Sequence, residues 1–229
     1  MLKPVRSIVS ALAVALITVS TASAITGGTV DGDAHPYVGA LVVDGAVQCS
    51  GVLISPTVFA TAGHCAADGN RVSVSFDSKL GEGWNLVGGT FEVDAARRAD
   101  LAVVVLDAPT GIVPATLPAA GSAESLARRA LVTSVGYGYS GWAADGSFLY
   151  DGYRRVASSP VLKVSKSALT LSTSIAGPCL GDSGGPQLSG NTVLSLTTGG
   201  SADCTGRAEG YRLDTTSARA FLGSFVTLP

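Results

Sequence analysis

Three short stretches of the sequence carry residues that together could activate a nucleophile. His64 stands in the stretch TAGHC, Asp100 in ADLAVVVL and Ser183 in GPCLGDSGGP. A serine hydroxyl attacks a carbonyl carbon only when a base removes its proton, and that base needs a third group to orient it. Histidine suits the role of base because its pKa lies near neutral pH. These residue types therefore predict nucleophilic catalysis.

Each of the three residues has an ordinary structural alternative when it is taken alone. An isolated histidine is often half-buried and structural, and an aspartate before a buried strand is often solvated or capping. The only other histidine, His35, precedes Pro36 in a predicted surface turn, so a histidine-dependent mechanism depends on His64. The glycines around Ser183 allow a tight turn and a close approach to a ligand.

The elements that must hold these residues are predicted to be short β-strands. Apolar or alternating runs rich in Val and Thr are separated by loops such as 81–89 and 138–147. The runs are 38–43, 51–54, 58–62, 72–76, 101–106, 130–135, 168–173 and 193–198. Many short strands at this spacing predict an all-β barrel or sandwich. Helical periodicity is clear only near the C-terminus, where one apolar face is formed by Ala218, Phe221, Leu222 and Phe225.

Residues 1–24 are predicted to be a secretory signal peptide. Lys3 and Arg6 precede an apolar run over 8–19, and the small residues ASA at 22–24 fit a signal-peptidase site. An uncleaved N-terminal anchor is the alternative, but the run is short for a membrane span of about 20 residues. A secreted, extracellular protein without later membrane contact is expected.

The rest of the chain, 25–229, is long enough for one domain of two small subdomains, with a boundary expected near 109–128. The whole chain carries 15 Lys and Arg residues against 17 Asp and Glu residues, a net charge of −2. This balance gives no reason to propose nucleic acid or an acidic membrane as a partner.

Cys49, Cys65, Cys179 and Cys204 fit two disulfides in an oxidising compartment, and their spacing leaves all three connectivities open. Zinc is a weak alternative because there is no Cys-x-x-Cys pair. The loop 77–90 holds too few acidic residues for a calcium site. We therefore expect neither a metal nor a cofactor.

Taken together and in this order, the three stretches resemble the chymotrypsin/trypsin-like serine protease family over essentially the whole mature chain. The motifs are ITGG at 25–28, TAGHC at 61–65, ADLAVVVL at 99–106, GDSGGP at 181–186 and GYRL at 210–213. The resemblance implies two six-stranded antiparallel β-barrels with the catalytic groups in the crevice between them, and a C-terminal helix. The short chain and small glycine-rich loops suggest a bacterial member.

The resemblance also implies a role for each site residue. Ser183 would attack the scissile carbonyl, His64 would accept its proton, and Asp100 would orient the imidazole. The backbone N–H groups of Gly181 and Ser183 would form the oxyanion hole. The implied disulfides are Cys49–Cys65 and Cys179–Cys204.

A further implication concerns the amino terminus. In this family the new terminal ammonium, here that of Ile25, pairs with the aspartate before the nucleophile, here Asp182. No residues separate the predicted signal cleavage from Ile25. We therefore expect signal peptidase itself to create the active terminus, with no zymogen stage.

The substrate pocket departs from the trypsin pattern. Gly177 stands where trypsins carry an aspartate, so a plain preference for Lys or Arg is not supported. Two alternatives stay open: an apolar or mixed preference set by Gly177, or a basic preference supplied from the side by Glu209. The residues expected at the pocket are Gly177, Pro178, Thr197, Thr198, Gly199 and Glu209.

The expected partners are protein or peptide substrates, with protein protease inhibitors as a further candidate, and a monomer is expected. Two functions compete with proteolysis: a protease-shaped binding protein, and a secreted esterase using the same triad. The GDSGGP context argues against an α/β-hydrolase, which places its serine in a G-x-S-x-G elbow. Trp84 and Trp142 are expected to be packing residues, and the arginine pairs at 97–98, 128–129 and 154–155 solvated loop charges.

Overall fold

The computed structural model describes residues 25–94 and 99–229, so the predicted signal peptide and Arg97-Arg98 lie outside the described residues. The strands are β1 Thr29–Val30, β2 Val38–Val43, β3 Ala46–Ser55, β4 Val58–Thr61, β5 Arg71–Ser75, β6 Val87–Val93, β7 Ala102–Leu106, β8 Leu131–Gly136, β9 Gly141–Trp142, β10 Phe148–Leu149, β11 Arg155–Val164, β12 Ala168–Ser172, β13 Pro186–Ser189, β14 Thr192–Gly200 and β15 Arg207–Arg212. One α-helix, α1, spans Thr216–Leu222.

The first barrel is closed and antiparallel, with strand order β2-β3-β4-β7-β6-β5. Its strands β2, β4 and β7 are mainly apolar and buried, and β5 alternates apolar and polar residues; β-branched side chains pack well on such a pleated surface. Leu41, Leu53, Phe59, Phe91 and Val103 are fully buried inside it.

The second barrel has the order β11-β12-β15-β14-β13-β8 and closes through a β11–β8 pairing. Strand β1 adds to its edge by pairing with β11. Residues 107–130 connect the two barrels. The subdomain boundary near 109–128 stays a prediction. The prediction of two six-stranded antiparallel barrels is confirmed, and the sandwich alternative is wrong.

The C-terminal helix is also confirmed. Thr215 caps it, because its side-chain oxygen accepts a hydrogen bond from Ala218 N at 3.2 Å. Ala218, Phe221 and Leu222 are buried in the same cluster as the core of the first barrel. Phe225 lies beyond the helix end but packs edge-on against Phe221 at 5.2 Å.

Strand β6 begins inside the stretch 81–89 that the sequence assigned to a loop. A Cβ atom at Gly89 would lie 2.5 Å from Val104 Cγ1. Glycine therefore serves the close approach of β6 to β7 here, and the loop assignment is wrong for residues 87–89. The loop assignment is also wrong for Gly141 and Trp142, which form the short strand β9 within 138–147.

Arg154 and Arg155 are buried, so the prediction that they are solvated is wrong. Arg154 Nε lies 2.9 Å from Asp31 Oδ2, and the guanidinium also donates to the carbonyl oxygens of Val38 and Phe76. Burial alone would raise the pKa of Asp31, but hydrogen bonds from His35 and Arg154 outweigh it and hold that pKa below its usual value. Through these contacts Arg154, which precedes β11 of the second barrel, binds both Asp31 of the N-terminal segment and the backbone of the first barrel.

Candidate active site

His64 and Asp100 are brought together by the pairing of β4 with β7. Thr61 at the end of β4 lies opposite Ala102 at the start of β7. His64 follows β4 in a 3₁₀ turn, and Asp100 lies two residues before the start of β7. A Cβ atom at Gly63 would lie 3.4 Å from Asp100 Oδ1, so the glycine permits the close approach of the two segments.

The Asp100 carboxylate holds the His64 ring in a defined orientation. Its Oδ2 lies 2.8 Å from His64 Nδ1, and its Oδ1 accepts the His64 backbone N–H at 2.9 Å. This contact raises the pKa of His64 above 6.5, against the opposing effect of burial. Burial would raise the pKa of Asp100, but its hydrogen bonds with His64 lower it. A proton on Nδ1 leaves Nε2 free to act as a base.

Ser183 is carried by a loop that packs against the end of β4. Its carbonyl oxygen accepts the Ser50 N–H at 2.9 Å, and Gly184 N donates to Thr197 O at 2.6 Å. Gly184 has a φ of +78°, and a Cβ atom there would lie 2.1 Å from Thr61 Oγ1. Only glycine fits this position, which sets Ser183 beside the segment that leads into His64.

The hydroxyl of Ser183 makes no hydrogen bond with any residue of 25–94 or 99–229, and neither does His64 Nε2. Such contacts are often long in an enzyme without substrate and shorten when substrate binds. The described residues thus place Ser183 beside the segment that leads into His64, with the His64–Asp100 contact already formed.

The loop before Ser183 presents two unpaired backbone donors. Within the described part of the chain, neither the Gly181 N–H nor the Ser183 N–H donates a hydrogen bond. Leu180 O accepts from Tyr139 N at 2.7 Å, and in a trans peptide the Gly181 N–H points the opposite way. Gly181 O accepts a hydrogen bond from Ser50 Oγ at 3.1 Å, which holds the peptide group that follows Gly181. Two unpaired donors two residues apart on one loop can stabilise a developing oxyanion.

Asp182 is a buried carboxylate held only by backbone groups in the described residues. It accepts the N–H of Gly138 at 2.8 Å and that of Cys179 at 2.9 Å. Burial raises its pKa to about 7 despite these two hydrogen bonds. A carboxylate in this position can accept a cation, which would restore its ordinary acidity.

Ile25 is fully buried and begins a segment that runs along the same loop. Thr26 forms a β-bridge with Gly177, whose N–H donates to Thr26 O at 2.9 Å. The φ of Ile25 is +47°, which is unfavourable for a β-branched residue while a peptide bond precedes it. Cleavage before Ile25 would remove that torsion.

A small cavity of about 70 Å³ adjoins Ser183. Of the predicted pocket residues, Pro178, Thr197 and Gly199 line it, whereas Gly177, Thr198 and Glu209 do not. The sequence reasoning missed Leu180, Gly200, Ser201 and Ala202, which also line it. Nothing in a single sequence marks those four, because their types are common in loops.

Gly177 and Glu209 have other surroundings. A Cβ atom at Gly177 would lie 2.4 Å from Thr173 Cγ2, so the threonine methyl fills the space below the glycine. The Glu209 side chain is half exposed and lies 3.9 Å from Arg207 Nε. The cavity lining carries no charged side chain.

Two disulfides tie this site together. Cys49–Cys65 joins β3 to the turn that carries His64, and Cys179–Cys204 joins the two edges of the small cavity. These are the pairs that the resemblance implies. Although ligand atoms of Cys49, His64 and Cys65 lie within 4.8 Å of one another, both sulfurs are disulfide-bonded, so they do not form a thiolate metal site.

The sequence matches the Trypsin family over residues 24–220. This chain belongs to the trypsin family. The predicted resemblance is thereby confirmed, and the trypsin-family chain is a serine-type endopeptidase by that membership. A comparison with curated protein sequences finds no significant match.

Solved structures show the same fold in other proteins. HL collagenase aligns with a TM-score of 0.71 at 20% identity, covering 92% of this trypsin-family chain and 100% of its own. HBP aligns with a TM-score of 0.71 at 15% identity, covering 89% of this chain and 97% of its own. At these identities the likeness concerns the fold alone. Among the described residues, no helix is both long and apolar enough to cross a membrane.

Proposed function

We propose that this chain is a secreted endopeptidase that cleaves peptide bonds through an acyl-enzyme on Ser183. The observation that carries the proposal is the His64–Asp100 contact, 2.8 Å between Nδ1 and Oδ2, beside the Ser183 loop. The two unpaired N–H groups of Gly181 and Ser183 supply the second requirement, a site for negative charge on the carbonyl oxygen.

The chemistry follows in two balanced steps. Ser183 Oγ bonds to the scissile carbonyl carbon while its proton passes to His64 Nε2, and the carbonyl oxygen becomes an oxyanion at the two N–H groups. His64 then gives that proton to the leaving nitrogen, the C–N bond breaks, and an ester to Ser183 remains. Water, deprotonated by His64, attacks the carbonyl carbon of this ester; the bond to Ser183 Oγ breaks, Oγ takes the proton back from His64, and the acid is released. Asp100 stabilises the imidazolium formed in each step.

Labelling by a fluorophosphonate probe tests this proposal. The native chain should be labelled, Ser183→Ala should not, and Ser189→Ala, which changes an exposed serine outside the site, should be labelled as the native chain is. Peptide hydrolysis should fall about 10⁶-fold in Ser183→Ala, by analogy with removal of a serine nucleophile elsewhere. Equal labelling of Ser183→Ala would contradict the assignment. Labelling without peptide hydrolysis would favour the esterase. The absence of both labelling and hydrolysis would favour a binding protein.

The proposal extends to maturation. Loss of residues 1–24 would create an ammonium at Ile25, which is buried near the loop that ends at Asp182. Its pairing with Asp182 would order the Gly181 donor next to it. N-terminal sequencing of the secreted protein tests this: the active form should begin at Ile25. An active form that begins upstream would contradict it.

For the residue before the scissile bond, we propose a small uncharged side chain. The cavity beside Ser183 has about half the volume of a cavity of roughly 150 Å³ that admits benzene, so an aromatic ring is too large for it. A Lys or Arg side chain would find no carboxylate in its lining. Of the two alternatives from the sequence, this favours the apolar one and gives Glu209 no part in it.

A further inference from the structure

A much larger cavity, of about 490 Å³, lies on the other side of Leu180 from the small one. Its lining includes the aromatic side chains of Trp84, Tyr139 and Tyr150, and it reaches Gly181. No Asp, Glu, Lys or Arg side chain contributes to its lining. Trp84 packs against the core of the first barrel, as expected from the sequence, and also forms part of the wall of this cavity.

The aromatic wall is fixed relative to the candidate oxyanion site. Tyr139 stacks on Phe148 at 4.7 Å and meets Tyr150 edge-on at 6.1 Å. The backbone N–H of Tyr139 also donates to Leu180 O at 2.7 Å, one residue before Gly181. A ligand in this cavity would therefore bind to a prepared surface rather than order a loop.

The position of the cavity indicates which part of a peptide would enter it. Ser183 lines the small cavity, Gly181 lines the large one, and Leu180 forms the wall between them. A scissile carbonyl held at the N–H groups of Gly181 and Ser183 sits at this boundary. If its acyl side extends into the small cavity, the leaving side must extend towards the large one.

We propose that the large cavity binds a large apolar or aromatic side chain located one or two residues after the scissile bond. It thereby sets the main sequence preference of the enzyme. This inference rests on the proposed function, because it takes Ser183 as the nucleophile. An uncharged cavity with aromatic walls favours such a side chain, because burial of its apolar surface and contacts between rings both stabilise the bound peptide. The volume of about 490 Å³ is within the range of ordinary ligand sites.

Two sets of peptides test the proposal. All carry Ala before the scissile bond, and they carry either Phe or Gly at the first and second positions after it. The Phe peptides should be cleaved with a kcat/KM about 10–100-fold above that of the Gly peptides. This ratio does not depend on how much of a preparation is folded. In Trp84→Ala and Tyr150→Ala it should fall towards one. In Leu131→Ala, which truncates an exposed apolar side chain outside the cavity, it should keep its native value.

Fluorophosphonate labelling distinguishes a failure of the cavity assignment from a failure of the proposed nucleophile. A labelled enzyme with a Phe-to-Gly ratio near one, or with a high ratio that Trp84→Ala leaves intact, overturns the cavity assignment and not the nucleophile. Absence of labelling overturns the proposed function itself. Sedimentation as a dimer that Trp84→Ala dissociates would show that a second copy occupies the cavity, and would also overturn the assignment.

Discussion

A single residue left in front of Ile25 should destabilise the folded domain at neutral pH. The reason is Asp182, which is buried, faces only backbone N–H groups in the described residues, and has a pKa of about 7. The ordinary value is 3.8, and each pKa unit corresponds to 1.36 kcal/mol, so ionising the unpaired carboxylate costs about 4 kcal/mol. An ammonium at Ile25 would favour the ionised form and remove this cost.

The sign of the pH dependence follows from proton binding. With Ala24 retained, the folded state binds more protons than the unfolded state between the unfolded pKa of 3.8 and the folded pKa of about 7. Its stability therefore falls as pH rises through that window, and the full cost applies above it. In the chain that begins at Ile25, the paired Asp182 has a lowered pKa. The difference in the free energy of unfolding between the two proteins should therefore be largest above pH 7 and decrease towards pH 4.

Thermal unfolding of the two proteins, which differ only by Ala24, tests this prediction. Both carry Ser183→Ala to prevent self-digestion. A difference of about 4 kcal/mol corresponds to roughly 8–16 °C in Tm for a domain of this size. In an Asp182→Asn background the loss of stability between pH 4 and 7 in the protein that retains Ala24 should disappear, since no carboxylate remains to ionise. Equal Tm values above pH 7 without that substitution, or a difference in Tm that grows towards acid pH, would contradict this prediction.

Three further predictions concern the triad, the small cavity and the buried ion pair. The acid limb of kcat/KM should have its midpoint above 6.5, because Asp100 raises the pKa of His64 and only the neutral imidazole is a base. Asp100→Asn should move that midpoint down and lower kcat by about 10⁴-fold. Peptides with Ala or Val before the scissile bond should be cleaved at least ~10-fold better than those with Phe or Arg. Glu209→Ala should leave this order unchanged in a peptide-library profile. Arg154→Ala should lower the free energy of unfolding in urea by about 3–5 kcal/mol, because it leaves the buried Asp31 without its guanidinium partner and with His35 alone; adding Asp31→Asn should restore part of the loss.

Each of the three has an outcome that would contradict it. An acid limb that Asp100→Asn does not move would separate the aspartate from the titration of the base. Loss of Arg cleavage in Glu209→Ala would restore the basic preference that the sequence left open. A loss in Arg154→Ala that Asp31→Asn does not relieve would indicate lost packing rather than an unpaired charge.

The sequence predicted those elements whose pattern is local. Strands β2 and β7 are continuous runs of Val, Leu and Ala, and burial of such runs is favourable whichever strands lie beside them. Strand β6 was missed, since no predicted run covers Val87–Val93, and Gly88 and Gly89 at its start are typical of a turn. The reason for Gly89 is Val104 on a neighbouring strand, which the local pattern does not contain.

The same division holds at the site. His64, Asp100 and Ser183 were found because their chemistry, order and neighbouring glycines form a specific pattern. The lining of the small cavity was found only in part, because Gly200, Ser201 and Ala202 have side chains without distinctive chemistry.

The sequence by itself determined which chemical groups are available, their order along the chain, and the family to which the chain belongs. The tertiary structure decided which cavity is small, which is aromatic, and that Arg154 is buried against Asp31, a partner 123 residues away. The physical reason is that burial and cavity shape are properties of surfaces contributed by distant segments. A buried charge in particular is tolerated only through a partner that folding brings to it.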